Sequence, residues 1–245
     1  MRFFYHFGNY LMLLQRVFKK PESGSLFRES FVRSCWDIGI GSAGIVAIVS
    51  LFTGMVTTVQ TAYQLVASFI PKTTIGAIVS DSSILELAPT IMTLVLAGKI
   101  GSNIASEIGT MKVSEQIDAL EVMGVNSASF LILPKICAAI IMIPLLVVFA
   151  EILCLVGGIL VGDITGILTS DEFIQGARST FMPFTFYFSM IKAFTYSFFI
   201  ASVASYQGYN ITGGAREVGE ASTKAVVYCC VIILLSDYIL AQLLL

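Results

Sequence analysis

From Ile38 to Pro71 the chain carries no Asp, Glu, Lys or Arg. A helix needs about 20 apolar residues to cross the hydrocarbon core of a bilayer, so this one stretch can span a membrane with residues to spare. Four further stretches, about 82–105, 130–162, 184–207 and 223–244, are predominantly apolar in the same way. Composition agrees: 56% of the 245 residues are hydrophobic and 12% charged, against about 45–50% and about 25% in soluble domains. The runs are continuous and rich in Leu, Ile, Val and Phe, whereas strands of a membrane barrel alternate apolar and polar over about 10 residues. The expected fold is an all-α polytopic membrane protein, one domain over 1–245 with five transmembrane helices.

The few charges set an expected orientation. Arg2, Arg16, Lys19, Lys20, Arg28 and Arg33 precede the first span, Lys99, Lys112 and Lys135 lie in 99–135, and Arg216 and Lys224 in 208–224. The alternate connections hold only Lys72 and Arg178. Basic residues stay on the cytoplasmic side, so the N-terminus is expected in the cytoplasm and the C-terminus outside. Residues 1–20 are not read as a signal peptide, because His6, Asn9 and Gln15 interrupt the apolar run and no small-residue cleavage pattern follows. Phe3, Phe7, Tyr10, Leu11, Leu14, Val17 and Phe18 share a helical face, which predicts an interfacial amphipathic helix. Its basic end, Arg16, Lys19 and Lys20, would sit on anionic headgroups, and Pro21 to Ser25 would end it.

Several function classes drop out. A net charge of −2 supplies no basic surface for nucleic acid. One histidine, His6, cannot build a two-histidine metal site or a Ser-His-Asp triad. The five cysteines lie in or beside spans and are read as packing residues. Gly98-Lys99 lacks the upstream glycine of a P-loop, so ATP, if used, is bound by another polypeptide.

What remains is polar chemistry inside the membrane. Glu86, Glu151, Lys192 and Asp237 each lie within a span, where a charge costs about 2.5–3.5 kcal/mol or more at mid-bilayer. At 1.5 Å per residue they sit about 6, 15, 12 and 10 Å from the outer helix ends. They either line a cavity opening outward or pair with one another structurally. Glycines at 39, 41, 44, 98, 101, 158 and 162 offer close helix approach. Between the spans, Thr110 to Gly124 has Val113, Ile117 and Leu120 at helical spacing among charges, with Thr110 to cap its start and Gly124 its end. This predicts an amphipathic cytoplasmic helix over 110–124.

Residues 97–125, A-G-K-I-G-S-N-I-A-S-E-I-G-T-M-K-V-S-E-Q-I-D-A-L-E-V-M-G-V, closely resemble the signature of the MlaE permease family, the membrane subunits of Mce-type lipid ABC transporters. The similarity continues in G-M-V-x-x-x-Q at 54–60, L-E-L-A-P at 85–89, L-P-K at 133–135, I-K at 191–192 and D-Y-I-L at 237–240. The resemblance implies a homodimer in a bacterial inner membrane, each copy with an interfacial helix and five spans. It also implies a cytoplasmic ABC ATPase that carries the ATP and Mg, leaving no cofactor in this chain, and a periplasmic Mce-domain protein. A phospholipid pocket is implied at Glu86, Lys192 and Asp237, with Gln60, Tyr63, Leu85 and Leu87 as neighbours and Lys192 meeting the headgroup phosphate. Lys112, Glu115, Gln116, Asp118, Leu120 and Glu121 are implied as the ATPase-coupling residues. Leu85 stands where many members have Arg, Lys99 where Arg is usual, and Asn126-Ser127 where Asp-Pro is frequent.

The favoured function is the non-enzymatic permease subunit of an ATP-driven phospholipid transporter. Its rival is a proton-coupled secondary carrier relaying protons through Glu86, Glu151 and Asp237, against which stands the absence of an inverted repeat. A non-transporting scaffold is a third reading, under which charge removal at Glu86 and Lys192 would leave function intact.

Overall fold

A computed structural model of the chain describes residues 2–18, 24–65 and 71–244. It is an all-α polytopic membrane protein, and the described residues include five helices long and apolar enough to cross a membrane: Leu26–Gln64, Thr73–Val113, Ser127–Thr165, Pro183–Tyr209 and Ala215–Leu244. In chain order these contain α2 (Gly24–Cys35) and α3 (Gly41–Gln64), then α4 (Thr73–Ser82), α5 (Met92–Leu96) and α6 (Ser102–Val113), then α8 (Ser127–Thr165), α10 (Pro183–Tyr209) and α11 (Ala215–Leu244). Among the described residues, π-helical segments at Trp36–Ile40, Ser83–Ile91 and Ala97–Gly101 join the pieces of the first two spans. The first helix begins well before Ile38, so Arg28, Arg33 and Asp37 ride on it.

Close backbone contact organises the bundle. The outer faces of α3 and α11 present Ile48, Phe52, Val56, Leu234, Leu235 and Ile239, so burial of apolar surface from water does not hold the helices together in lipid and tight packing must. Gly54 of α3 lies so near α8 that an added Cβ would stand 1.9 Å from the Cys154 carbonyl oxygen, and Gly157 returns the contact at 2.2 Å from that of Leu51. The same exchange ties α4 to α9 (Ser170–Thr180), through Gly76 against Phe173 and Gly176 against Thr73. Of the glycines expected from sequence to serve this purpose, Gly158 and Gly39 are crowded only by side chains, of Thr58 and Phe173 and of Met142, Gly162 meets the Leu168 carbonyl just past its own helix, and Gly44 and Gly98 face open space.

Capping sets the ends of the connecting elements. Asn126 caps α8 with its side-chain oxygen on the Ser129 N–H, and Gly166 ends it at φ 69°. Thr169 and Glu172 form a reciprocal capping box on α9, and the Thr169 N–H beside the Glu172 carboxylate holds that group below the usual carboxylate range. The pairing therefore stabilises α9 above the ordinary carboxylate pKa and is lost as pH falls through the lowered value. Hydrogen-exchange protection of the first turn of α9 is expected to weaken on acidification in the wild type, and Glu172→Gln, which removes the titrating group, is expected to abolish that pH dependence.

Two expectations are corrected. The single helix predicted over 110–124 is divided: α6 runs on to Val113, Glu115 adopts a left-handed conformation at φ 60°, and α7 spans only Gln116–Val122. Thr110 accordingly sits inside α6, its hydroxyl bonded to the Ser106 carbonyl rather than capping a helix start. Gly124 does end α7, at φ 81°, with Val125 N–H returning to the Leu120 carbonyl. The apolar face predicted for the N-terminal helix α1 (Arg2–Val17) is also split. Leu13 and Val17 are buried and the Tyr10 hydroxyl bonds Ser202 at 2.9 Å, while Phe7, Leu11 and Phe18 remain exposed. Lys19, Lys20 and the helix break expected from Pro21 fall at least partly outside the described residues.

Candidate functional site

The site starts with a proline. In an α-helix the Leu85 carbonyl would accept the N–H of residue 89, but Pro89 has none to give. The chain there is π-helical, Ser83–Ile91, a distortion that frequently marks functional positions. The Leu85 carbonyl is met from another span, by Lys192 Nζ of α10 at 3.2 Å. The same ammonium lies 2.6 Å from Glu86 Oε1 and 2.7 Å from Asp237 Oδ1 of α11. Spans two, four and five are thus joined at one nitrogen.

The geometry follows from burial. The Lys192 side chain is 0% exposed, and a charge withdrawn from water persists only when paired and hydrogen-bonded. Two of its N–H bonds go to the Leu85 carbonyl and Glu86 Oε1, Asp237 supplies a second opposite charge, and the Phe188 ring centroid lies 4.6 Å from Nζ. The acceptors are themselves held: Thr90 Oγ1 donates to Glu86 Oε2 at 3.2 Å, and the fully buried Tyr196 donates its hydroxyl to Asp237 Oδ1 at 2.7 Å. Phe188, Lys192 and Tyr196 recur every four residues on α10, and Thr90 follows Glu86 by four, so this support was visible as helical spacing though the sequence reading did not use it. The headgroup-phosphate role expected for Lys192 meets a buried ammonium that is already paired with two carboxylates of its own chain.

Glu151 does not join the triad. It is 5% exposed and accepts from Ser189 Oγ, one turn before Lys192. Leu85 and Leu87 flank Glu86 and are half-buried, whereas Gln60 and Tyr63 on α3 are exposed, Tyr63 by 81%. The triad itself is open on one side: the Glu86 side chain is 46% exposed and Asp237 19%. Among the described residues no group of three or more His, Cys, Asp or Glu could hold a metal ion.

The residues expected from sequence to couple to an ATPase cluster at the far end of span two. Lys112 pairs with Asp118 at 2.5 Å, and Glu121 Oε1 accepts from Tyr209 Oη at 2.9 Å and Ser127 Oγ at 3.0 Å, so three of the six are occupied in holding α7 to its own chain. Ile117 is buried beneath α7 and Leu120 half-buried. Glu115 and Gln116 are exposed, and beside them Val122 and Met123 stand out at 89% and 68% exposure. These two apolar side chains escaped the sequence reading because they fall off the Val113, Ile117, Leu120 face. Nearby, Lys99 donates to the Gly41 carbonyl and Lys135 pairs with Glu107 at 2.6 Å, tying spans one, two and three together.

A family model described as permease MlaE matches residues 31–243. The chain belongs to the MlaE permease family. Similar curated proteins include a probable ABC transporter permease protein of Rickettsia bellii, 34% identical over 89% of this chain and 84% of that protein. One of Synechocystis, also a probable ABC transporter permease protein, is 31% identical over 94% of this chain and 88% of that protein. The chloroplastic protein trigalactosyldiacylglycerol 1 of Arabidopsis thaliana is 31% identical over 83% of this chain and 58% of that protein. As an MlaE permease the chain is a multi-pass permease subunit of the ABC-transporter class, and the triad, its π-helical turn and α7 all lie within the matched residues.

Proposed function

We propose that this MlaE permease is the membrane subunit of an ATP-driven transporter that moves phospholipid between the inner membrane and a periplasmic Mce-domain protein. The observation that carries the reading is family membership over residues 31–243. The name of the Arabidopsis relative, that of a glycolipid, supports a lipid cargo. The basic face, with α7, lies in the cytoplasm and the C-terminus in the periplasm, following the distribution of Lys and Arg. A cytoplasmic ABC ATPase, which holds the ATP and Mg, receives α7, and two copies of the chain enclose the lipid between them. Glu86, Lys192 and Asp237, with Leu85, Leu87, Gln60 and Tyr63, line that pocket. ATP-driven movement of the partner is transmitted through α7 into span two, which carries the Glu86 turn. A proton-coupled carrier working alone is the weaker reading, since family membership supports a separate motor.

Co-purification of the full chain from its native membrane in mild detergent tests this, with protein and lipid mass spectrometry on the same sample. A P-loop ATPase, an Mce-domain protein and bound phospholipid are expected; recovery of a lipid-free chain without partners would overturn the reading. Replacing both Val122 and Met123 with Asp is expected to lower ATPase recovery about tenfold or more, the effect of losing apolar anchors from an interface. Unchanged recovery would remove α7 from the contact.

A further inference from the structure

The pocket's charge balance identifies the headgroup it prefers. Lys192 contributes one positive charge and Glu86 and Asp237 two negative ones, leaving the triad one unit negative. The ammonium is fully buried, hydrogen-bonded to the Leu85 carbonyl and Glu86 and paired with Asp237, so it is not presented to a phosphate at the opening. The open group is a carboxylate: Glu86, 46% exposed, with Thr90 on one oxygen and Lys192 on the other. No second cation compensates it on the three contributing helices. Position 85 is leucine, span two has no Lys or Arg between Lys72 and Lys99, span four none besides Lys192 between Arg178 and Arg216, and span five none beyond Lys224. The nearby Glu151 faces Ser189 and adds no cation.

A phosphate brought to this opening meets a like charge in a poorly screened setting, whereas an ammonium completes the pairing with a charge-assisted hydrogen bond. We infer that the lipid recognised at Glu86 carries an ammonium group: a zwitterionic aminophospholipid such as phosphatidylethanolamine, in preference to an anionic one such as phosphatidylglycerol. This rests on the lipid-permease reading above and adds the specificity of the same site.

The test is native mass spectrometry of the full chain equilibrated with bilayers of equal phosphatidylethanolamine and phosphatidylglycerol. Bound phosphatidylethanolamine is expected to exceed phosphatidylglycerol about tenfold, in line with one charged hydrogen bond. Glu86→Gln, which keeps the size and an acceptor oxygen, is expected to bring the ratio to that of the bilayer. Wild-type protein holding both lipids in the bilayer ratio would overturn the headgroup inference and leave the lipid reading standing, a result that needs no variant to fold. Failure to hold either lipid would overturn the lipid reading itself. Binding of free ethanolammonium by lipid-stripped protein as strongly as phosphatidylethanolamine would assign the carboxylate to a soluble amine and overturn the lipid source.

Discussion

Lys192→Ala is expected to destabilise the folded chain by roughly 3–5 kcal/mol, the cost of leaving the partners of a buried ion pair uncompensated. The alanine leaves two carboxylates facing one another across spans two and five, a Leu85 carbonyl that Pro89 cannot satisfy, and a void against Phe188. Thermal unfolding in detergent reads the loss. A triple variant, Lys192→Met with Glu86→Gln and Asp237→Asn, removes all three charges while filling the space, and recovery of most of the lost stability is expected because a buried ion network and an uncharged replacement are often nearly isoenergetic. A single variant unfolding at the wild-type midpoint would show that the carboxylates find other partners. A triple variant no better than the single would show that packing, rather than charge, is what Lys192 supplies.

Gly54→Val should be as damaging for a different reason. Its Cβ would stand 1.9 Å from the Cys154 carbonyl oxygen and 2.8 Å from the Cys154 Cα, and backbone cannot rotate aside as a side chain can. Overpacking costs about 1–3 kcal/mol where side chains can yield, so separating α3 from α8 belongs at or above the top of that range. Gly44→Ala on the same helix is the control, since nothing lies within 4 Å of its added Cβ. It is expected to be neutral or to stabilise by up to about 1 kcal/mol through helix propensity. Equal unfolding midpoints for Gly54→Val and wild type would mean that the two helices are not in backbone contact.

The five spans and the all-α class were legible because hydrocarbon leaves a chain few alternatives: every backbone polar group must be bonded within the segment, and helix length is set by bilayer thickness. Glu86, Lys192 and Asp237 were legible as outliers for the same reason, since a charge in a span is costly wherever it points. The family signature at 97–125 was legible letter by letter. Less legible was α7, because helical spacing alone carries no sign of the left-handed turn at Glu115 that detaches it from α6. Gly54 and Gly157 looked no different in sequence from Gly44 and Gly98, yet only the first two meet a neighbouring backbone.

What the amino-acid sequence determined by itself was therefore local: which segments are apolar and long enough to span, which residues are out of place in them, and which family pattern they carry. The tertiary structure decided who meets whom. That Lys192 reaches two carboxylates and the Leu85 carbonyl depends on three helices separated by up to 152 positions converging at one depth. Charge pairing in a low-dielectric interior is governed by distances of a few ångströms, and such distances are a property of packing, which no one-dimensional pattern records.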